Sequence, residues 1–225
     1  MKTAFITGSS KGIGRQIGED LMKKKVYVYF NGRRTLQMHG SYRSFITADL
    51  SDMKSINKIA KKIDKLDILI LNVGTTDRTE FGNITLENWN SVLDLNLTNQ
   101  FFLIQKLKDK MQANGRIIFI SSISSIVPDS VSIAYGVSKA AVNALVMYLA
   151  KEFANKKITV NAIAPGYIDT DWHREKPKDQ IERIAKKCLA KRLGTTEEIS
   201  KAVQAIIDND FINGQVIRVD GGFGL

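Results

Sequence analysis

A chain of 225 residues, 44% of them hydrophobic, is long enough to bury one substantial core and ordinary enough in composition to form one domain. Much of its formal net charge of +10 sits in short runs such as Lys23-Lys24-Lys25, Lys61-Lys62, Lys156-Lys157 and Lys186-Lys187, which read as a solvated surface able to attract an acidic carrier or anionic substrate, without the interleaved aromatics of a nucleic-acid groove. No uninterrupted apolar run reaches the roughly 18 residues of a membrane span, the start of the chain turns polar too soon for a secretory signal, and Cys188 with His39 and His173 offers neither a disulfide nor a metal cluster, which suits a reducing cytoplasm.

In chain order, residues 2–7 form a strand candidate that runs directly into Gly8-Ser-Ser-Lys-Gly12-Ile-Gly14. Ile13, Ile17, Leu21 and Met22 then recur at helical spacing, so a helix starts in the glycine run and ends near Lys25. Residues 26–30 and 44–48 read as the next two strands. The crossover between them is short for a parallel connection, so a turn or helical stub is expected there. Ile56, Ile59, Ala60 and Ile63 give a helix, and residues 66–71 a strand buried on both faces. Trp89, Leu93, Leu97, Phe101, Ile104 and Leu107 predict one long amphipathic helix over 86–111.

Residues 115–122 are a β-branched run ending in hydroxyls, followed by a loop over 123–133. Ala134-Tyr-Gly-Val-Ser-Lys139 opens a helix that continues through Val142, Val146, Leu149 and Phe153. Residues 158–164 are a strand stopped by Pro165-Gly166, 176–191 a charged helical excursion, 197–208 a helix and 215–219 a last strand. The alternation predicts a single α/β domain over residues 1–225. Its doubly wound, mostly parallel sheet carries helices on both faces (Rossmann type), with a substrate-loop excursion at about 171–191.

Tyr135 and Lys139 are four residues apart and share one helix face. An ammonium beside a phenol favours the phenolate, so the phenol can trade its proton below its ordinary value of about 10. Ser122, at a strand end, can hydrogen-bond the same substrate oxygen, and together the three make an acid/base centre for a carbonyl/alcohol pair. Glycines after a first strand let the backbone turn tightly against a pyrophosphate, whose charge sits on the helix N-terminus. A competing pattern is present. Gly8-Ser-Ser10-Lys-Gly12 also fits the nucleophile elbow of hydrolases, with Asp169 and His173 in the right chain order. That elbow needs earlier strands, and too few residues precede Ser10.

Thr7-Gly-x-x-x-Gly-x-Gly14, Asn72-Val-Gly74, Asn96, Ser122, Tyr135, Lys139 and Pro165-Gly166 occur in the order and spacing of the short-chain dehydrogenase/reductase family. The chain resembles that family over essentially its whole length, and looks most like bacterial 3-oxoacyl-[acyl-carrier-protein] reductases. The resemblance implies roles. Tyr135 would be the general acid, Lys139 would lower its pKa and bind the nicotinamide ribose, and Ser122 would orient the substrate oxygen. Asn96 would help hold a water that relays protons to Lys139.

Thr7, Gly8, Ser10, Lys11, Gly12, Ile13 and Gly14 would line the cofactor's phosphates, with Asp49 and Leu50 at the adenine. Asn72 and Gly74 would pack behind the cofactor, beside Val73 where the family often has alanine. Thr170 and the backbone of Ile168 would meet the carboxamide, with Pro165 and Gly166 also in the cofactor site. The implied substrate is a small-molecule or carrier-bound carbonyl. Sugar, polyol, steroid and secondary-metabolite reductases share this core, as would a non-catalytic NADP-binding sensor. In the family the Tyr135 helix packs against its counterpart in another subunit. Gly136, Ser138, Ala140, Ala141 and Ala144 permit such approach, so a homodimer or homotetramer is expected. Trp172 either walls a pocket or anchors its loop.

A site that selects NAD usually carries an acidic residue at the end of the second strand. Here that strand ends Tyr29-Phe-Asn-Gly32-Arg33-Arg34, and no acidic residue lies between Asp20 and Asp49. Arg33 falls about where the family's arginine for the 2′-phosphate falls, and Lys11 adds a second cation. The expected cofactor is NADP, with NADPH preferred over NADH.

Overall fold

Alternation along the strands sets the layers. The computed structural model describes residues 1–36, 41–128, 132–173 and 176–225, and among these seven strands form one sheet. They are β1 (Thr3–Ile6), β2 (Tyr27–Gly32), β3 (Arg43–Thr47), β4 (Leu66–Leu71), β5 (Met111–Ile120), β6 (Thr159–Pro165) and β7 (Val216–Val219). Every neighbouring pair is parallel, in the order β3-β2-β1-β4-β5-β6-β7. Ile68, Ile70, Ile118 and Ile120 point to one face, and Leu69, Leu71, Ile117 and Phe119 to the other. Both faces are therefore apolar, and helices must cover both.

One face packs against α1 (Gly12–Lys23) through Ile17 and Leu21, and against α7 (Thr196–Asp208) through Ile199, Val203 and Ile206. The other packs against α2 (Met53–Lys62), α4 (Asn99–Leu107) and α5 (Ile133–Glu152). Two further pieces, α3 (Leu86–Leu93) and α6 (Lys178–Lys187), complete the helices that concern the site. The fold is a doubly wound α/β domain of Rossmann type, with an all-parallel sheet. By length and composition α5 could cross a membrane. Its Val142, Val146 and Leu149 pack into the core, however, and Ser138 and Lys139 are buried beneath them.

Two expectations need correction. The helix expected over 86–111 is interrupted: α3 ends at Leu93, a π-helical turn spans Asp94–Thr98, α4 follows, and β5 already begins at Met111. The apolar period continues through the turn, but Asn96, Asn99 and Gln100 are buried too, and their amides bond to loops outside the helix. An extra residue in the turn re-aims them. Second, β5 starts four residues early because Met111 pairs with Leu66, after which residues 112–114 bulge out, with Asn114 at φ 60°. In the crossover from β2 to β3 the described residues form bends and no helix; residues 37–40, including His39, lie outside the described residues.

Candidate active site

The strand order reverses between β1 and β4, and ligands in such sheets bind above the carboxyl ends of the strands at that point. A cavity of about 620 Å³ opens there, lined by Gly8, Gly12, Ser122, Tyr135, Lys139 and Trp172 among others. Gly8, at φ 59°, needs to be glycine: a Cβ there would stand 3.0 Å from the Val73 Cα. Val73 itself packs on the core, so its added bulk is accommodated. The Thr7 hydroxyl accepts from the Asn72 and Val73 amides at 2.9 and 3.0 Å. The Asn72 side chain donates to the Thr7 and Gly8 carbonyls at 3.0 and 2.9 Å. A Cβ on Gly14 would lie 2.6 Å from that side chain, so strand, loop and helix close around Asn72.

Lys11 occupies the N-cap of α1 but gives no side-chain cap. The first-turn N–H groups of α1 therefore remain for a ligand, and Gly12 and Ile13 line the cavity beside them. Arg33 follows the end of β2 on the same wall, with Ser10 against neighbouring Gly32. The Lys11 ammonium stands 3.2 Å from Asp171, across the cleft. Asp49 and Leu50 follow β3 at the cavity edge. The Asp49 carboxylate accepts from the Ser51 amide and hydroxyl at 2.9 and 2.8 Å, and Asn99 holds the Leu50 carbonyl at 2.8 Å. Pro165, Gly166, Ile168 and Thr170 line the opposite end, where Ile168 bridges to Gly194.

Tyr135 lies near the start of α5, its phenol hydrogen-bonded to Ser122, which lies two residues past the end of β5 and caps the following turn. The Lys139 ammonium, one turn on, donates to the Ile120 carbonyl at 2.8 Å and sits 5.8 Å from the centre of the Tyr135 ring. The electrostatics reverse the expectation that Lys139 lowers the phenol's pKa. Burial holds Tyr135 above its ordinary value, opposed by the Ser122 hydrogen bond, and burial alone pulls Lys139 down to about 8. Tyr135 is thus a proton-bearing acid at neutral pH.

Asn96 joins them from the π-helical turn: its carbonyl oxygen accepts from the Thr75 amide at 2.8 Å. Its NH₂ donates to the Thr75 carbonyl and the Ser138 hydroxyl at 2.9 and 3.0 Å. Its side chain is thus committed to protein partners. Gly74 fills the gap between it and Lys139, since a Cβ there would lie 3.3 Å from Asn96 and 3.6 Å from the Lys139 nitrogen.

This geometry can be set beside known proteins. A family model described as enoyl-(acyl carrier protein) reductase matches residues 8–224. The 3-oxoacyl-[acyl-carrier-protein] reductase FabG of Escherichia coli (strain K12) is 32% identical over 235 residues, 98% of this chain and 96% of that protein. The chain belongs to the short-chain dehydrogenase/reductase family. FabG of Rickettsia typhi is 34% identical over 231 residues, again 98% of this chain and 96% of the relative. A short-chain dehydrogenase family protein from Francisella tularensis superposes with a TM-score of 0.92 at 27% identity, covering 99% of this chain and 98% of its own. The Pseudomonas aeruginosa RhlG/NADP active-site complex gives 0.92 at 29% identity over 100% of this chain and 96% of that one.

For a short-chain dehydrogenase/reductase the cleft fits a dinucleotide: uncapped helix N–H groups, glycines at close approach, and Lys11 and Arg33 among the lining residues. The hydrolase arrangement does not assemble. His173 packs its ring 5.4 Å from Tyr167, and among the described residues no hydrogen bond joins it to Ser10 or Asp169. Trp172 is a wall, its ring centre 6.2 Å from that of Tyr135.

Sequence reasoning missed Asn31. This buried side chain accepts from the Gly8 amide at 3.1 Å and donates to the Ile46 and Ala48 carbonyls at 3.0 and 3.1 Å. It thereby fastens the glycine loop of this reductase-family site to two strands. An Asn inside a strand, where its propensity is poor, was the available signal. Asn31→Ala leaves buried groups unpaired, at about 1–3 kcal/mol each. We expect chemical denaturation to show a loss of about 2 kcal/mol or more, and titration calorimetry to show weakened dinucleotide binding; unchanged stability would remove this role.

Proposed function

We propose that this oxidoreductase is an NADPH-dependent reductase that converts a 3-oxoacyl group, carried as a thioester, to the secondary alcohol. The observation that carries this reading is the Ser122–Tyr135 hydroxyl pair at the cavity wall, with the Tyr135 proton retained by burial. A bound dihydronicotinamide supplies the hydride. The chain's part is to hold the carbonyl against that donor and to handle the proton. Ser122 donates to the carbonyl oxygen and positions it. Tyr135 then gives its phenolic proton to the same oxygen as negative charge develops there. Lys139 restores charge balance from beneath, and Trp172 keeps solvent from the ring face of Tyr135.

Arg33 and Lys11 support a phosphorylated dinucleotide. The names of the relatives, together with the net charge of +10, support an acidic carrier as the substrate's vehicle. The test is a comparison of 3-oxoacyl thioesters with cyclic ketones and hexoses. We expect kcat/KM for the thioesters to lead by about tenfold or more; a lead for a sugar or a cyclic ketone would assign another substrate class.

The outward stripe of α5 supports self-association. Ile133, Val137, Ala140, Ala144, Met147 and Tyr148 are exposed at helical spacing, an apolar surface without a described covering element. Ser138, expected there, instead turns inward to Asn96. We expect sedimentation to give a homodimer or homotetramer; a monomer at micromolar concentration would contradict it.

A further inference from the structure

Three nitrogen-bearing side chains that the proposed chemistry does not use also line the cavity. Arg78 comes from the loop after β4, and His173 and Lys176 from the segment after β6; all three line the cavity. They interact. Burial lowers the Lys176 pKa first and Arg78 lowers it further, and burial, then Lys176, then Arg78 bring His173 down to about 4. Asp169 opposes this for His173 but is the smallest contributor.

Asp169 faces His173, and two other nearby carboxylates are engaged elsewhere. Asp77 accepts from Thr79 at 2.8 Å and from Asn88 at 3.3 Å, and Asp171 faces Lys11. No ion pair to Arg78 or Lys176 is present among the described residues. The His173 Nδ1 is buried without a hydrogen-bond partner. Two like charges from separate loops, beside an unsatisfied imidazole nitrogen, repel each other unless an anion joins them.

We infer that Arg78, Lys176 and His173 form an anion subsite that takes a carboxylate or phosphate group of the carbonyl substrate, beside the Tyr135–Trp172 wall. This inference rests on the ketone-reductase reading and adds the charge its substrate carries. The guanidinium offers a fork of donors, the ammonium a point charge, and the neutral imidazole one further hydrogen bond. A carboxylate next to the ketone and the phosphate of a pantetheine arm present the same chemistry.

Two matched pairs separate these sources: acetoacetate against ethyl acetoacetate, and 3-oxobutyryl-phosphopantetheine against the 3-oxobutyryl thioester of N-acetylcysteamine. Binding is measured by titration calorimetry on the full chain saturated with NADP⁺, and turnover is measured separately with NADPH. In at least one pair the charged member is expected to bind about fivefold or more tightly than its neutral partner. That ratio should fall to about twofold or less in an R78Q/K176Q variant and be retained in Lys176→Arg. Equal binding within both pairs, absence of binding included, overturns the subsite. So does a preference that the double variant keeps. A charge preference in binding without any turnover keeps the subsite and removes the reductase reading; turnover without a charge preference does the reverse.

Discussion

Tyr135→Phe is expected to cut turnover by about 10²-fold or more while leaving cofactor affinity nearly unchanged, because it removes one positioned proton and keeps the ring in the cofactor site. Burial holds the phenol above its ordinary pKa, so the acid form persists across the neutral range. With the proton present at pH 7, ketone reduction should hold through neutrality and fall only as alkaline pH strips the phenol. Alcohol oxidation, which needs the deprotonated form, should rise over that same interval. Lys139→Ala should damage both dinucleotide binding and turnover, since this buried ammonium lies between the Ile120 carbonyl and the Tyr135 ring. Steady-state kinetics beside fluorescence titration of the cofactor separates the two variants. Wild-type turnover by Tyr135→Phe would remove the mechanism.

The wild type is expected to prefer NADPH over NADH by about tenfold or more in kcat/KM, and a Lys11→Ala, Arg33→Ala double variant should lose most of that preference. A hydrogen bond to a charged group is worth about 1.5–3 kcal/mol, and about 1.4 kcal/mol is tenfold. Arg33 has no salt bridge among the described residues and stands ready for a phosphate. Lys11 faces Asp171, but its own side chain is 70% exposed, and a pair at the surface is worth at most about 1 kcal/mol. A 2′-phosphate can therefore recruit Lys11 at little cost. Equal use of both cofactors would sink the assignment and leave the fold and the Tyr135 chemistry untouched.

Most of the fold was legible because both signals that define it are local. Strand β4 is placed by the apolar residues 68–71, and α1 by Ile17 and Leu21 following a glycine turn. What stayed hidden depends on partners far away in sequence. The interruption at Asp94–Thr98 cannot be read from a period that Trp89 to Leu107 keep intact; it follows from where the amides of Asn96, Asn99 and Gln100 find acceptors. The early start of β5 follows from one cross-strand pair, Leu66 with Met111. In the site, spacing on one helix face correctly joins Tyr135 to Lys139. It does not reveal that the ammonium is bonded to Ile120, nor that burial raises the phenol's pKa. Arg78, His173 and Lys176 line one cavity although they come from two loops far apart in sequence, which no local pattern announces.

The most direct test of the account is a nicotinamide-absorbance assay of the purified chain with 3-oxoacyl thioesters, simple ketones and their alcohols, each with both cofactors. The account predicts cofactor-dependent reduction of at least one ketone, fastest among the 3-oxoacyl thioesters and with NADPH. Tight dinucleotide binding with no absorbance change over the whole panel would contradict it and leave a cofactor-binding protein without turnover.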